Sequence, residues 1–455
     1  MMVHLTKKQS VKTLPMGYTQ TEVGVIPEDW VVCTFGSLVN YRKGFAFKSN
    51  DYQPSGTRVI RVSDTSFFSI EDTEPVYVSN EVAQKHTSWV IKENDLIFST
   101  VGSKPPMYDS LVGKAILVTK RHSGCLLNQN AVRIRSKSVV IGFQVLLLNH
   151  FRTNRYIDFI EVIYRGNANQ ASITLENLFE YKIPLPALAV EQTAIANVLS
   201  DTDALITELE QLITKKEAIK TATMQQLLTG RTRLPKFAKH SDGTLKDYKS
   251  SELGLIPEDW QAVTLGYVTQ KIVGGGTPSR DNPNYWGNDI PWVTVKDFAT
   301  FISTSAQEFI TRNGLANSSS NLIPRGTLIT STRIALGKAV IYDVDVAINQ
   351  DLKAIFTNEY TTALFLFYWF ENNTRTFEEL GSGSTVKGLS LKDLKGLDFL
   401  LMSIDEQMAI TTILSDMDAE LKVLEQKLAK IRDIKQGMMQ QLLTGRIRLP
   451  LDRQP

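Results

Sequence analysis

Several short stretches of this chain carry residue types that border on catalytic chemistry, and each lacks a part that the chemistry needs. Ser103-Lys104-Pro105-Pro106-Met107-Tyr108 approaches the Asn/Asp-Pro-Pro-Tyr motif of amino-methyltransferases, but Met107 interrupts it. Gly113-Lys114 and Gly337-Lys338 have the lysine of a phosphate-cradling loop without its upstream glycine or following Ser/Thr. Gly381-Ser382-Gly383-Ser384 does not follow a strand, as an adenosylmethionine-binding turn would. Glu425-Gln426-Lys427 has a nuclease-like Glu-x-Lys spacing, yet it falls on a charged face of a long helical pattern. Five histidines and two cysteines, Cys33 and Cys125, form no ligand spacing for a metal. The residues therefore predict a chain with no catalytic or metal site, whose chemistry is recognition.

The elements that would position recognising residues are written twice. Gly24-Val25-Ile26-Pro27-Glu28-Asp29-Trp30 returns as Gly254-Leu255-Ile256-Pro257-Glu258-Asp259-Trp260, an offset of 230. Leu199-Ser200-Asp201-Thr202-Asp203-Ala204 returns as Leu414-Ser415-Asp416-Met417-Asp418-Ala419, and Gln225-Gln226-Leu227-Leu228-Thr229-Gly230 returns unchanged at 440–445, both at an offset of 215. Two matched frames thus enclose two unmatched interiors, a pattern suited to two different recognition surfaces on one scaffold. At 455 residues the chain exceeds a single core. Its 42% hydrophobic and 22% charged residues are those of a soluble globular protein. The longest apolar run, Thr362 to Phe370, is too short to span a bilayer, and the first residues lack the apolar core of a signal peptide. Two cysteines without counterparts in the other half fit a reducing cytoplasm. A net charge of +2 means that any polyanion surface must be a local basic patch.

Each half reads as box, variable region, then long helix. In the second, Ile410, Leu414, Met417, Leu421, Leu424, Leu428, Ile431, Lys435, Met438 and Leu442 alternate in 4-3 spacing, the seam of a coiled coil broken once by Lys435. Ser403-Ile404-Asp405-Glu406 reads as a capping box at its start, and Gly445 as its stop. The first half gives Ile195, Leu199, Thr202, Ile206, Leu209, Ile213, Lys216, Lys220, Thr223 and Leu227, with Leu188 where the capping Ser would stand. Each helix is about 40 residues, hence roughly 60 Å. Acids lie early in both (Asp201, Asp203; Asp416, Asp418) and bases late (Lys215, Lys216, Lys220; Lys427, Lys430, Arg432, Lys435), which favours antiparallel pairing and also suits each helix dipole.

The interiors read as mixed α/β. Short strands such as 57–62, 95–99, 113–118 and 131–134 are separated by Gly, Pro and Asn. Faint echoes link the halves: 96–100 with 328–332, Val112-Gly113-Lys114-Ala115 with Leu336-Gly337-Lys338-Ala339, and Asn128-Gln129-Asn130 with Asn349-Gln350-Asp351. The expected division is an extension (1–16), a first domain (17–184), a helix (185–230), an exposed linker (231–246), a second domain (247–400), a helix (401–445) and a tail (446–455). The fold expected is α/β, mixed α+β, with two similar domains separated by two long antiparallel coiled-coil helices in a pseudo-twofold repeat.

Over nearly its whole length the chain resembles the type I restriction-modification specificity subunits. The paired Gly-x-Ile-Pro-Glu-Asp-Trp boxes carry the resemblance, with Pro184-Leu185-Pro186 leading to Glu191-Gln192, the partner Glu406-Gln407 and the twin Gln-Gln-Leu-Leu-Thr-Gly ends. Gly276-Thr277-Pro278-Ser279 and Ile290-Pro291-Trp292-Val293 add to it. The resemblance implies two target-recognition domains, each reading one half of a split site in double-stranded DNA. It implies that the helices dock two methyltransferase subunits and, through them, ATP-dependent translocase-nuclease (restriction) subunits. This chain would bind no cofactor; S-adenosylmethionine, ATP and Mg2+ would sit on the partners.

Reading DNA requires phosphate contacts for placement and side chains on base edges for sequence. Arg can fork onto guanine, and Asn or Gln onto adenine. The candidate DNA-binding residues are Arg42, Lys43, Arg58, Arg61, Ser63, Lys104, Tyr108, Asn128, Gln129 and Asn130 in the first domain. In the second they are Thr277, Ser279, Arg280, Thr294, Lys296, Arg333, Asn349, Gln350 and Lys353, with Trp286 beside them. For any one Arg or Lys a solvated position is the commoner role, and Asn-Gln pairs also brace turns. Trp286 and Trp292 read as packing residues, and Trp30 and Trp260 as the joints where box meets helix. Helix length would then set the distance between half-sites, with major grooves on one side recurring about every 34 Å. Two other readings compete: a self-contained methyltransferase or nuclease of the fused type, which needs a cofactor motif, and a protein-binding scaffold, which predicts no salt-dependent DNA affinity.

Overall fold

A computed structural model describes residues 14–167, 170–382 and 388–450. Two compact units divide the chain: Met1–Glu210 with Lys427–Pro455, and Gln211–Gln426. The Gly-Ser run at 381–384 falls partly outside the described residues.

In the first unit an antiparallel sheet orders its strands Ala115–Leu117, Leu96–Ser99, Ala131–Ser136 and Val39–Lys43. Leu96, Ile97 and Phe98 are all at most 1% exposed, so this strand is covered on both faces and needs no polar alternation. A second sheet orders Leu126–Leu127, Thr57–Ile60, Val76–Val78 and Tyr52–Gln53, with its first pair parallel. The expected strand 57–62 stops at Ile60. Asp64 accepts from the Arg61 backbone N–H at 2.9 Å and bends the chain into the short turn Val62–Asp64.

The second unit repeats this plan. Its antiparallel sheet orders Thr269–Gly274, Leu352–Thr357, Leu328–Ser331 and Ala339–Ile341. The partner sheet orders Glu308–Ile310, Trp286–Val293, Val346–Ile348 and Asn321–Ile323, again with one parallel pair. The apolar run that is too short for a bilayer becomes the helix Ala363–Asn372, with Thr362 capping Phe365 N–H at 3.1 Å and Phe365, Leu366 and Phe370 buried. Among the described residues no helix is long and apolar enough to cross a membrane.

The long helices run Ala189–Leu228 and Ile404–Leu442. Every residue of both 4-3 seams is buried or half-buried. In the first unit Lys435 pairs with Asp203, and Arg432 with Glu210 at 2.5 Å. In the second, Lys216 pairs with Glu420 at 2.8 Å and Lys220 with Asp418 at 2.6 Å. In each unit one number rises as the other falls, so the two helical segments run in opposite directions. Lys435, the break in the apolar seam, is tolerated because Asp203 supplies the opposite charge.

Three expectations need correction at the helix ends. Ser403 Oγ accepts from Glu406 N–H at 3.3 Å, but the reciprocal half of the capping box is missing, because the Glu406 carboxylate is taken by Arg233. The start of the expected exposed linker is built in: the Arg233 side chain is 5% exposed and forks onto Asp259 (2.7 Å) and Glu406 (2.7 Å). Arg448, expected in a tail, holds Asp29 (2.9 Å) and Glu191 in the first unit. Each box therefore closes on a helix end. A Cβ on Gly230 would lie 2.6 Å from Pro257, and one on Gly445 would lie 2.5 Å from Pro27, so the chain passes too close for any side chain. Tyr248 and Tyr18 donate to the Gly230 and Gly445 carbonyls at 2.8 and 2.9 Å. Trp260 and Trp30, 1% and 5% exposed, fill the joints as expected.

Candidate nucleic-acid interface

In both units part of the candidate set meets at a junction of glycine and turn. In the first, the strand carrying Arg42 and Lys43 is followed by Gly44, where a Cβ would stand 1.8 Å from the Asn128 carbonyl. The Asn128 N–H donates to Ile60 O at 2.9 Å and Gln129 N–H to Phe45 O at 2.9 Å, so strand end, turn and Asn-Gln segment lock together. In the second unit Gly275 approaches Ile348 O equally closely, Gly276 N–H donates to that carbonyl at 3.0 Å, and Asn349 N–H donates to Val293 O at 3.1 Å. The two backbone junctions correspond, a glycine pressed on the turn that carries the Asn-Gln pair, but the close carbonyl lies one residue earlier in the second unit, and the side chains differ.

Internal bonds hold part of the candidate set in place. Arg58 pairs with Asp72 and donates to Glu71 O at 2.6 Å. Arg61 forks onto Asp64 (2.7 and 3.0 Å) and reaches Glu74 O at 2.8 Å; that hydrogen bonding to Asp64 raises the guanidinium pKa further. Asn128 donates to Tyr52 Oη at 2.6 Å, and Ser63 leans on Asp64 at 3.4 Å. In the second unit Arg280 forks onto Glu308 at 2.5 and 2.9 Å and lies 3.7 Å above the Trp286 ring, holding the Glu308 carboxyl below the usual range. Thr294 caps the turn Val295–Phe298, and Asn349 braces Asp351 N–H at 3.1 Å. Lys353 donates to Gln350 O at 2.9 Å, and burial lowers its pKa. Arg333 stands 3.5 Å from Asp351. Thr277 donates to Gln350 Oε1 at 2.7 Å, tying the Gly-Thr-Pro-Ser loop to the Asn-Gln turn. The Ser279 carbonyl accepts from the Trp286 indole at 3.0 Å. Trp292 is buried, as expected, whereas Trp286 is half-buried as the platform under Arg280.

The exposed candidates include Arg42, Lys43, Lys104, Tyr108, Gln129, Asn130, Lys296 and Gln350, besides the internally bonded Ser63, Thr277, Ser279, Arg280 and Arg333. Arg42 lies 5.5 Å over the Trp89 ring, whose indole donates to Lys43 O at 3.1 Å. Asn130 takes a left-handed φ of 68°, and its carbonyl accepts from Thr100 N–H and Oγ1, both at 3.0 Å. Two contributors escaped the sequence reading. Trp89 carries no pattern that would mark it. In the sequence Lys114 stands in an incomplete phosphate loop and in the Val112–Ala115 echo, neither of which marks a structural role. It is 2% exposed and donates to the carbonyls of Thr65 and Asp109 (2.5 Å to the latter), fastening the Tyr108 loop to the Asp64 turn. Burial brings its pKa down to about 8, against the pull of Asp109. Its echo Lys338 is exposed. Such an array of exposed amides, guanidinium and ammonium groups on braced turns can contact phosphates and base edges. Among the described residues no group of three His, Cys, Asp or Glu gathers as a metal site.

A family model described as the type I restriction modification DNA specificity domain matches residues 27–221 and again 257–433. A Methanocaldococcus jannaschii protein named as the type I restriction enzyme MjaX specificity subunit is 28% identical over 437 residues, covering 95% of this chain and 97% of its own. The MjaVIII specificity subunit of the same organism is 23% identical, covering 93% and 94%. Among solved structures, the S subunit of a type I restriction-modification system from M. genitalium shares the fold with a TM-score of 0.59 at 15% identity, over 91% of this chain and 96% of that one. A chain from a type I system complex gives 0.51 at 18% identity, over 93% and 99%. With the family model matched twice over most of its length, the chain belongs to the type I restriction-modification DNA specificity subunits.

Proposed function

We propose that this chain reads a bipartite site in double-stranded DNA, one half through each interior domain, and carries no catalytic step itself. The domains proposed as readers are 17–184 and 247–400, joined through the helical segments 185–230 and 401–445. The observation that carries the reading is the repeated glycine–turn junction, Gly44 on Asn128 and Gly275 on Ile348, bearing unlike side chains in the two units. A shared backbone with divergent exposed polar groups suits two readers of different sequences. The exposed candidates named above are the proposed contacts; the internally bonded ones hold their turns. The helices also dock methyltransferase subunits: in the second unit Leu212 and Ile219 stay 38% and 41% exposed seven residues apart on the first helix, an apolar edge suited to a helical partner. S-adenosylmethionine, ATP and Mg2+ belong to the methyltransferase and restriction subunits of the cytoplasmic complex.

The test is selection of bound sites from a random DNA library by the chain with its methyltransferase partner. The expected outcome is two fixed half-sequences and a fixed gap. Replacing residues 31–184 with those of a relative changes one half only, and deleting one heptad from each helix changes only the gap. Selection of no sequence, or a change in both halves after the swap, overturns the reading.

A further inference from the structure

The first unit contains a cavity of about 970 Å³ between its interior domain and its helical pair. Its apolar wall includes Phe67, Phe68, Leu148, Ile206, Met439 and Leu443. Its charge is unbalanced. Among the described residues Arg152, Arg155, Arg432, Lys435 and Arg446 line it against Asp203 and Glu210 alone. Arg432 is taken by Glu210, but Arg152 and Lys435 share one carboxylate, Asp203, which lies 3.8 Å from Arg152. The Arg152 side chain is 11% exposed and its guanidinium sits 5.2 Å from the Phe68 ring. Among the described residues the buried Arg152 Nε has no hydrogen-bond partner, and neither does His150 Nε2 on the same wall, where His150 is 2% exposed. Buried donors left unmade are costly, and a buried cation without its own anion more so.

The second unit provides the internal comparison. The repeat offset of 215 places Lys220 and Asp418 where the first unit has Lys435 and Asp203. There Lys220 meets two carboxylates, Asp418 at 2.6 Å and Glu371 at 3.0 Å. One cation with two acids in the second unit becomes two cations with one acid in the first. The first unit is short of a negative charge at this place, and it has a cavity there.

We propose that the cavity binds a small amphipathic anion: a carboxylate or phosphate group whose oxygens accept from Arg152, Lys435 and His150, carried on an aromatic or aliphatic body that lies against Phe67, Phe68 and Met439. The cavity lies beside Tyr108, whose ring is 5.9 Å from Phe67, but none of its anion-binding groups is a proposed DNA contact, so the proposal does not depend on the DNA reading.

The experiment is calorimetric titration of the full chain at constant ionic strength with 4-phenylbutyrate, phenyl phosphate and the neutral 4-phenylbutanol. Saturable binding of either anion, with the alcohol at least about tenfold weaker, is expected, since a charge-assisted hydrogen bond is worth about that factor. Which anion binds tells carboxylate from phosphate. Arg152→Gln weakens binding about tenfold or more. Phe68→Ala, at a side chain 65% exposed and so safe for folding, weakens it as well. Failure of both anions to bind, equal binding of the alcohol, or unchanged affinity in Phe68→Ala and Arg152→Gln overturns the proposal.

Discussion

Truncating Arg233 to alanine tests the joint between box and helix end most directly. Its guanidinium makes four hydrogen bonds of 2.7–3.2 Å, two to Asp259 and two to Glu406, and lies 5.5 Å from the Trp260 ring. The Arg233 and Glu406 side chains are 5% and 3% exposed. Removing the arginine leaves the Glu406 carboxylate buried, with the Trp260 indole N–H at 3.0 Å as its remaining side-chain donor. Breaking a buried ion pair from one side costs about 3–5 kcal/mol, most of it the desolvated charge left behind. The matching Arg448→Ala is milder. Arg448 and Asp29 are 35% and 53% exposed, so that arm contributes about 0–1 kcal/mol, and the cost of stranding Glu191 dominates at about 2 kcal/mol. Urea denaturation of the full chain, followed by tryptophan fluorescence and circular dichroism, measures both. The first loss of structure should come at lower urea in both variants, and earlier for Arg233→Ala. Arg233→Met combined with Glu406→Gln removes both charges and should recover at least half of the loss. A change below about 1 kcal/mol in Arg233→Ala, within the range of ordinary surface substitutions, would refute the reasoning. So would a double variant no more stable than the single one.

The remaining predictions concern the first unit's core and the two junctions. Burial and the nearby Arg155 hold His150 neutral, with its pKa lowered to about 3. The unfolded chain takes up a proton near pH 6.5 while the folded one does not, so stability is full above that value and falls by up to about 1.4 kcal/mol per pH unit towards pH 3. His150→Gln should flatten the pH 4–6 limb of a denaturation series, and an unchanged slope would count against this. Gly275→Ala places a Cβ 1.8 Å from the Ile348 carbonyl, so the junction must open; a loss of about 1–3 kcal/mol is expected, and a melt within error of the parent would contradict it. Gln129 is exposed and makes no side-chain hydrogen bond among the described residues. Gln129→Ala should leave the melting temperature unchanged and cost about 1–3 kcal/mol of discrimination in a site-binding assay, whereas Arg61→Ala should lower the melting temperature.

The positions that sequence left ambiguous share a physical cause. Arg61, Arg280 and Asn128 have the residue types of base readers, but Asp64, Glu308 and Tyr52 take up their side-chain donors. Gln129, next to Asn128, makes no such contact. Arg61 meets a carboxylate three residues on, whereas Arg280 in its turn meets Glu308, 28 residues away on a strand, a pairing that composition and spacing do not show. The clamps on Glu406 and Glu191 were within reach. Arg231-Thr232-Arg233-Leu234-Pro235 returns as Arg446-Ile447-Arg448-Leu449-Pro450 at the same 215-residue offset, so the third echo extends five residues beyond its glycine.

What the sequence determined by itself was local or repetitive. The 4-3 apolar seams specify long helices because a stripe on one face must be buried. The Pro-Glu-Asp-Trp boxes mark recurring joints, and the doubled frame implies one fold used twice. Tertiary structure decided which polar groups face solvent, that each box closes on the helix end carrying Arg233 or Arg448, and that Lys435 meets one carboxylate where Lys220 meets two. Those outcomes depend on which distant groups share a desolvated space. Desolvation acts on neighbours in three dimensions, and a linear pattern does not carry that information.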